Sequence, residues 1–157
     1  MTEPQQVPIT AEGLVQVQEE LDQLTGVRRP EIVAKIKAAR EHGDLSENFE
    51  YHAARNEQSF IETRILELEA IVKNHVIIQS RTADGQVDLL STVTFVEEGE
   101  PEERYRIVGP AEADPSAGQI SFESAIGRAL MGHRAGDDVE VRTPTGTRYR
   151  VRILRVE

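Results

Sequence analysis

The chain has no cysteine among its 157 residues. That excludes disulfides and thiolate metal sites and removes any pointer to an oxidising compartment. It has no tryptophan and only 4% aromatic residues, so its core must be mostly aliphatic. No apolar run approaches the roughly 20 residues needed to cross a bilayer. The opening MTEPQQVPIT lacks the basic start and apolar stretch of a signal peptide, so a cytoplasmic address is expected. Lysine is scarce, present only at Lys35, Lys37 and Lys73, and the net charge is -10. Free duplex DNA repels such a chain, so autonomous tight DNA binding is not expected. An acidic protein in a nucleic-acid process needs a protein partner to deliver it.

What is present divides near Asn74. Before it the apolar spacing is helical. Thr10 is a good N-cap, and Leu14, Val17, Leu21 and Leu24 then recur at alternating gaps of three and four, a coiled-coil seam. Pro30 interrupts this run, and the apolar pattern resumes at Ile32, Val33, Ile36 and Ala39. The expectation is one kinked helix or two abutting ones, stopped at Gly43. A second helix carries the seam Tyr51, Ala54, Gln58, Ile61, Ile65, Leu68 and Val72. Two long helices joined by the short stretch 42–46 must lie antiparallel. At about 30 residues each and 1.5 Å per residue they form a rod roughly 45 Å long. Such a hairpin buries one stripe of side chains and needs an anchor at its open end.

After Asn74 the pattern turns to short β-like runs at 76–79, 87–96, 104–108, 119–122, 138–143 and 147–156. Pro144-Thr145-Gly146 signals a turn between the last two. Arginines at 148, 150, 152 and 155 alternate nearly with Tyr149, Val151, Ile153 and Val156, giving one wet face. A short helix at 124–132 has Ser124 as its cap. The reading is α+β: a coiled-coil domain over 1–78, then an antiparallel sheet domain with one short helix over 79–157.

Acidic groups crowd the tip of the hairpin at Asp44, Glu47 and Glu50, with Glu41 just before. Asp44 followed three residues later by Glu47 matches a capping box, and acids favour a helix N-terminus. The same carboxylates are hard ligands for Mg²⁺, which often takes one or two protein carboxylates and fills its remaining positions with water or phosphate oxygens. Spacing leaves both roles open. Two carboxylates are too few for tight binding, so a second macromolecule would complete such a site. Arg40 and Arg55 flank the tip and suit either a mixed-charge surface or RNA phosphates. Phe49 falls off the seam.

Val27-Arg28-Arg29-Pro30-Glu31-Ile32 and AREHGDLSENFEYHAAR at 39–55 closely resemble the transcript cleavage factors of the Gre family, of the GreA type. Tyr105-Arg106-Ile107-Val108-Gly109, the SAIGRALMG stretch at 124–132, Gly136-Asp137-Asp138-Val139 and Thr143-Pro144-Thr145-Gly146 extend the resemblance over nearly the whole chain. It implies an N-terminal antiparallel coiled coil and a C-terminal domain of FKBP-like fold. That domain would grip RNA polymerase through the segment holding Ser124, Ile126, Gly127 and Leu130, while the coiled coil enters the secondary channel. Asp44 and Glu47 would help hold a Mg²⁺ shared with the polymerase, and Arg55, assisted by Arg40, would contact the extruded 3′ end of the nascent RNA. The factor would be a monomeric activator of the polymerase's own hydrolysis rather than a nuclease. Two positions depart from the family pattern: Ala125 stands where proline is usual, and Phe49 where a small residue is usual.

Two rival readings follow from the same residues. A Gfh-type inhibitor would share the fold and dock but block synthesis; such relatives depart at the tip, whereas this chain keeps GDLSEN. An FKBP-like isomerase or chaperone needs an aromatic-lined pocket, for which the second half offers only Phe95, Tyr105, Phe122 and Tyr149.

Overall fold

The computed structural model describes residues 5–41, 43, 48–79 and 85–157. The chain begins with a strand, β1 (Val7–Ile9), and Thr10 then caps helix α1 (Ala11–Gln23). The Thr10 hydroxyl accepts from the Gly13 N–H at 3.0 Å, the bond expected of a threonine N-cap. The helix does not stop at the proline. A π-helical turn, Leu24–Arg28, passes into α2 (Arg29–Arg40), with Pro30 in its first turn. Proline lacks the N–H that an α-helical interior requires, and the wide turn just before it absorbs the mismatch. The expected interruption is therefore a local change of pitch, with helical structure on both sides.

Helix α3 (Phe49–Asn74) has 26 residues and rises about 39 Å. It runs antiparallel to the first helical stretch, as the cross-helix partners show. Arg64 grips Glu20 at 2.8 and 3.0 Å, Arg28 reaches Glu57 at 3.0 Å, and the Asn48 amide reaches the Ala39 carbonyl at 2.7 Å. Partners climb along α3 as they descend along α1 and α2. The seam buries Ile32, Ile36, Ala54, Ile61 and Ile65, with Leu21, Leu24 and Tyr51 packed against them. Val33, expected in the seam, is half exposed at 51%. Ile32, Ile36 and Ala39 already fill the stripe at i, i+4 and i+7, which turns their neighbour Val33 off the buried face.

The second half forms a five-stranded sheet from β3 (Thr92–Glu97), β4 (Glu103–Val108), β5 (Gln119–Ser121), β6 (Asp138–Arg142) and β7 (Arg148–Val156). Their spatial order is β5-β4-β3-β7-β6. The sheet is mixed rather than antiparallel, because β5 pairs with β4 in parallel, Ile107 opposite Ile120. The segment between β4 and β5 runs through two 3₁₀ turns, Pro110–Glu112 and Pro115–Ala117, and so returns the chain in the same direction. Helix α4 (Ala125–Leu130) follows β5, and Leu130 joins Val93, Phe95, Ile107, Val141, Val151 and Ile153 in the core.

The largest departure from the expected strands is at the start of β3. The run 87–96 is extended only from Thr92, because Leu90 takes a φ of 70° and 88–91 form a turn. The Asp88 carboxylate accepts from the Leu89 N–H at 2.7 Å, and the Ser91 hydroxyl from the Asp88 N–H at 3.0 Å. The near-alternation along β7 also has its reason. The β3–β7 register shifts between Thr94 and Phe95, leaving Leu154 as an extra residue, so Val156 falls out of step with Val151 and Ile153.

The chain forms two compact units, which do not follow chain order. One is Leu14–Asn74. The other joins the residues up to Gly13 with His75–Glu157, because β1 pairs in parallel with β2 (His75–Ile77), Val7 opposite His75 and Ile9 opposite Ile77. A division at 78/79 keeps both strands in the first domain and so parts them from the rest of the unit they belong to.

Candidate functional site

The closed end of the hairpin lies between Arg40, the last residue of α2, and Phe49, the first of α3. Asp44 and Glu47 fall outside the described residues, and the structure assigns them no geometry. Their surroundings are defined. Asn48 caps α3: its side-chain oxygen accepts from the Tyr51 N–H at 3.1 Å, and its backbone carbonyl accepts from the His52 N–H at 3.1 Å. Its amide also donates to the Ala39 carbonyl, so one side chain satisfies orphan groups at the end of one helix and the start of the other. The capping box expected of Asp44 and Glu47 lies outside the described residues; the cap that is described at the start of α3 is Asn48.

The flanking side chains are placed as follows. Phe49 is 88% exposed, as its position off the seam implied. The Arg40 guanidinium lies over the Tyr51 ring, 5.9 Å from its centroid, and Tyr51 meets His52 edge to face at 5.6 Å. Arg55 is exposed, one turn further along α3. Among the described residues no group of three or more His, Asp or Glu side chains is placed to hold a metal ion. Further from the tip the hairpin is laced by arginine–carboxylate pairs. Arg64 donates to Glu20 and holds that carboxyl below its usual range, and Arg29 does the same to Glu62, with contacts of 2.7 and 2.8 Å.

The second unit carries a different surface. Ser124 caps α4 by accepting from the Gly127 N–H at 3.1 Å while its hydroxyl donates to the Ser121 carbonyl at 2.6 Å. A Cβ at Gly127 would collide with that same Ser121 carbonyl, so only glycine fits. Ser124 and Ile126 line a cleft of about 320 Å³ together with Phe95, Tyr105, Ile120 and Tyr149. Phe95 and Tyr105 stack with centroids 5.9 Å apart, and burial pushes the Tyr149 hydroxyl up from its ordinary pKa. Of the four residues expected at a polymerase interface, Ser124 and Ile126 reach this cleft. Leu130 is fully buried in the core and Gly127 is buried beside Ser121, so these two shape the helix and do not present a surface. The scarcity of aromatics in the sequence understated the cleft. Three of the four in this half converge on it, because β4, β3 and β7 are neighbours in the sheet.

No helix among the described residues is long and apolar enough to cross a membrane. Comparison with known proteins matches residues 7–77 to the family described as "Transcription elongation factor, N-terminal". Residues 82–157 match "Transcription elongation factor, GreA/GreB, C-term". The chain is 49% identical over 150 residues to the transcription elongation factor GreA of Macrococcus caseolyticus, covering 95% of both chains. It is 45% identical over 158 residues to that of Staphylococcus epidermidis, covering 100% of both. Among solved structures, the GreA factor homolog 1 (Gfh1) protein of Thermus thermophilus matches at 29% identity, over 98% of this chain and 99% of that one, with a TM-score of 0.44. The two family models and the full-length identity agree: the chain belongs to the GreA/GreB family of transcription elongation factors.

Proposed function

We propose that this protein works in the cytoplasm as a transcript cleavage factor of RNA polymerase, and that its hairpin carries Asp44 and Glu47 into the polymerase's active centre. The observation that carries the reading is the unbroken tip motif at 43–48, standing between two antiparallel helices in a full-length member of the family. Asn48 accepts from the Tyr51 N–H and so caps the start of α3.

Each part of the chain then has one task. The aromatic cleft beside Ser124 and Ile126 docks on the polymerase. The ion-paired hairpin keeps its two helices in register over its length. Asp44 and Glu47 present hard carboxylate oxygens, a donor set that suits Mg²⁺ when the polymerase supplies the rest of the shell. A Mg²⁺ held jointly in this way would lower the pKa of a bound water and stabilise charge on the scissile phosphate. Arg40 and Arg55 neutralise phosphates of the extruded RNA. The protein contributes positioning and charge, the polymerase performs the hydrolysis, and the factor is no nuclease by itself.

The test is cleavage of a backtracked polymerase complex with and without the protein over a range of Mg²⁺ concentrations. Shortened RNA that depends on the protein supports the reading. Suppressed elongation without shortening identifies an inhibitor that shares the dock, and overturns it.

A further inference from the structure

The turn at 109–112 touches the start of α1, although more than a hundred residues separate them in the chain. Glu112 is the residue that makes the connection. One of its carboxylate oxygens accepts from the Thr10 N–H at 2.6 Å and from the Gly109 N–H at 3.3 Å. The other accepts the proton of the Thr10 hydroxyl. With its proton committed to Glu112, the Thr10 oxygen offers a lone pair to the Gly13 N–H. The N-cap of α1 is therefore built by two residues, one from each half of the chain.

Two glycines make room for this arrangement. A Cβ at Gly13 would collide with the Glu112 carboxylate, and one at Gly109 would collide with the Pro8 carbonyl. Thr10 is 1% exposed, so the clasp is sheltered from competing water. A carboxylate beside a helix N-terminus is further favoured by the orphan N–H groups and the helix dipole. Arg106 of β4 also reaches Glu12 in the first turn of α1, at 3.8 Å.

We infer that Glu112 is a positioning residue: its carboxylate fixes the first turn of α1, the helix that leads into the hairpin, and stimulated cleavage depends on that clasp while docking does not. This rests on the proposed function above. The clasped turn opens the helix Ala11–Gln23, and small misplacements at a reaction centre cost large factors in rate.

Gly13→Ala separates the clasp from helix stability. Alanine favours a helix over glycine, yet its methyl group would evict the Glu112 carboxylate. At saturating factor, Gly13→Ala and Glu112→Ala are each expected to lower stimulated cleavage about tenfold or more, with helix content and competition for polymerase unchanged. Glu112→Gln should retain most activity, because an amide still accepts from the Thr10 N–H and can donate to the hydroxyl. Amide exchange in the first turn of α1 should quicken in Gly13→Ala. Wild-type cleavage in Gly13→Ala overturns the inference, and so does unchanged exchange in that turn. So does loss of docking in step with cleavage, which would make Glu112 part of the docking fold. An inactive wild type would instead defeat the functional reading, and amide exchange in the first turn of α1 would still decide the clasp.

Discussion

The hairpin and the sheet unit are both held by aliphatic side chains, but they cover them differently. In the sheet unit Val93, Ile107, Leu130, Val141 and Ile153 are fully enclosed between a sheet face and α4. In the hairpin one stripe is covered, and Val33, Phe60 and Leu66 stay largely exposed. The hairpin compensates with cross-helix pairs such as Arg64–Glu20 and Arg29–Glu62, which are exposed enough that each is worth little in water. The difference teaches a division of labour. The sheet unit holds an enclosed core and the aromatic cleft, and the hairpin commits little of its surface to its own core.

The largest effect should come from the enclosed core. Ile153→Ala leaves a cavity beneath β3 and β7, with an expected cost of about 2–5 kcal/mol, read from the denaturant midpoint. Ile65→Ala in the hairpin should cost less, about 2 kcal/mol, because a single stripe can close around the gap more easily. Amide exchange would then quicken in α2 and α3 while β3 and β7 stay protected. Equal losses of protection in both units would break the comparison. Asn48→Ala should cost about 1 kcal/mol, since it removes the cap of α3 and the tie to Ala39 together. A loss of protection spread along all of α3, rather than confined to its first turns, would contradict that assignment.

The smallest effect is on pH dependence. Hydrogen bonds from Arg64 and Arg29 lower the pKa of Glu20 and Glu62 in the folded chain. Their contribution is present in full above the ordinary carboxylate range, near pH 4, and is lost as pH falls through the lowered folded values. Screening by solvent limits the Glu20–Arg64 pair to about 1 kcal/mol or less. Thermal melts of the wild type and Arg64→Met, compared between pH 6 and pH 3, should converge at the acid end. A constant gap between them would show that the pair does not stabilise the hairpin.

Local patterns were legible in the sequence and long-range ones were not. The seam residues Ile32, Ile36, Ile61 and Ile65 repeat at helical spacing, and Ser124 stands just before an apolar stretch, so both could be read directly. Val7–Ile9 could not, because three residues with a central proline give no alternation and gain their strand character from pairing with His75–Ile77. The parallel pairing of β5 with β4 depends on the path of two 3₁₀ turns. The 87–91 stretch is apolar like a strand, and only the positive φ at Leu90 shows it to be a turn. At the tip Asp44, Ser46 and Asn48 all suit a cap, and the cap that is described at the start of α3 is Asn48. Glu112 reads as one acid among many until Thr10 is seen beside it.

The central claim is that the tip acids act on another enzyme's reaction and are not needed to fold their own hairpin. Cleavage of backtracked complexes at saturating Asp44→Asn/Glu47→Gln double variant, measured alongside its competition for polymerase, tests it most directly. The account predicts that stimulation disappears while docking and thermal stability stay at wild-type values. Full-rate rescue by the neutralised variant would contradict it, as would a variant that no longer folds.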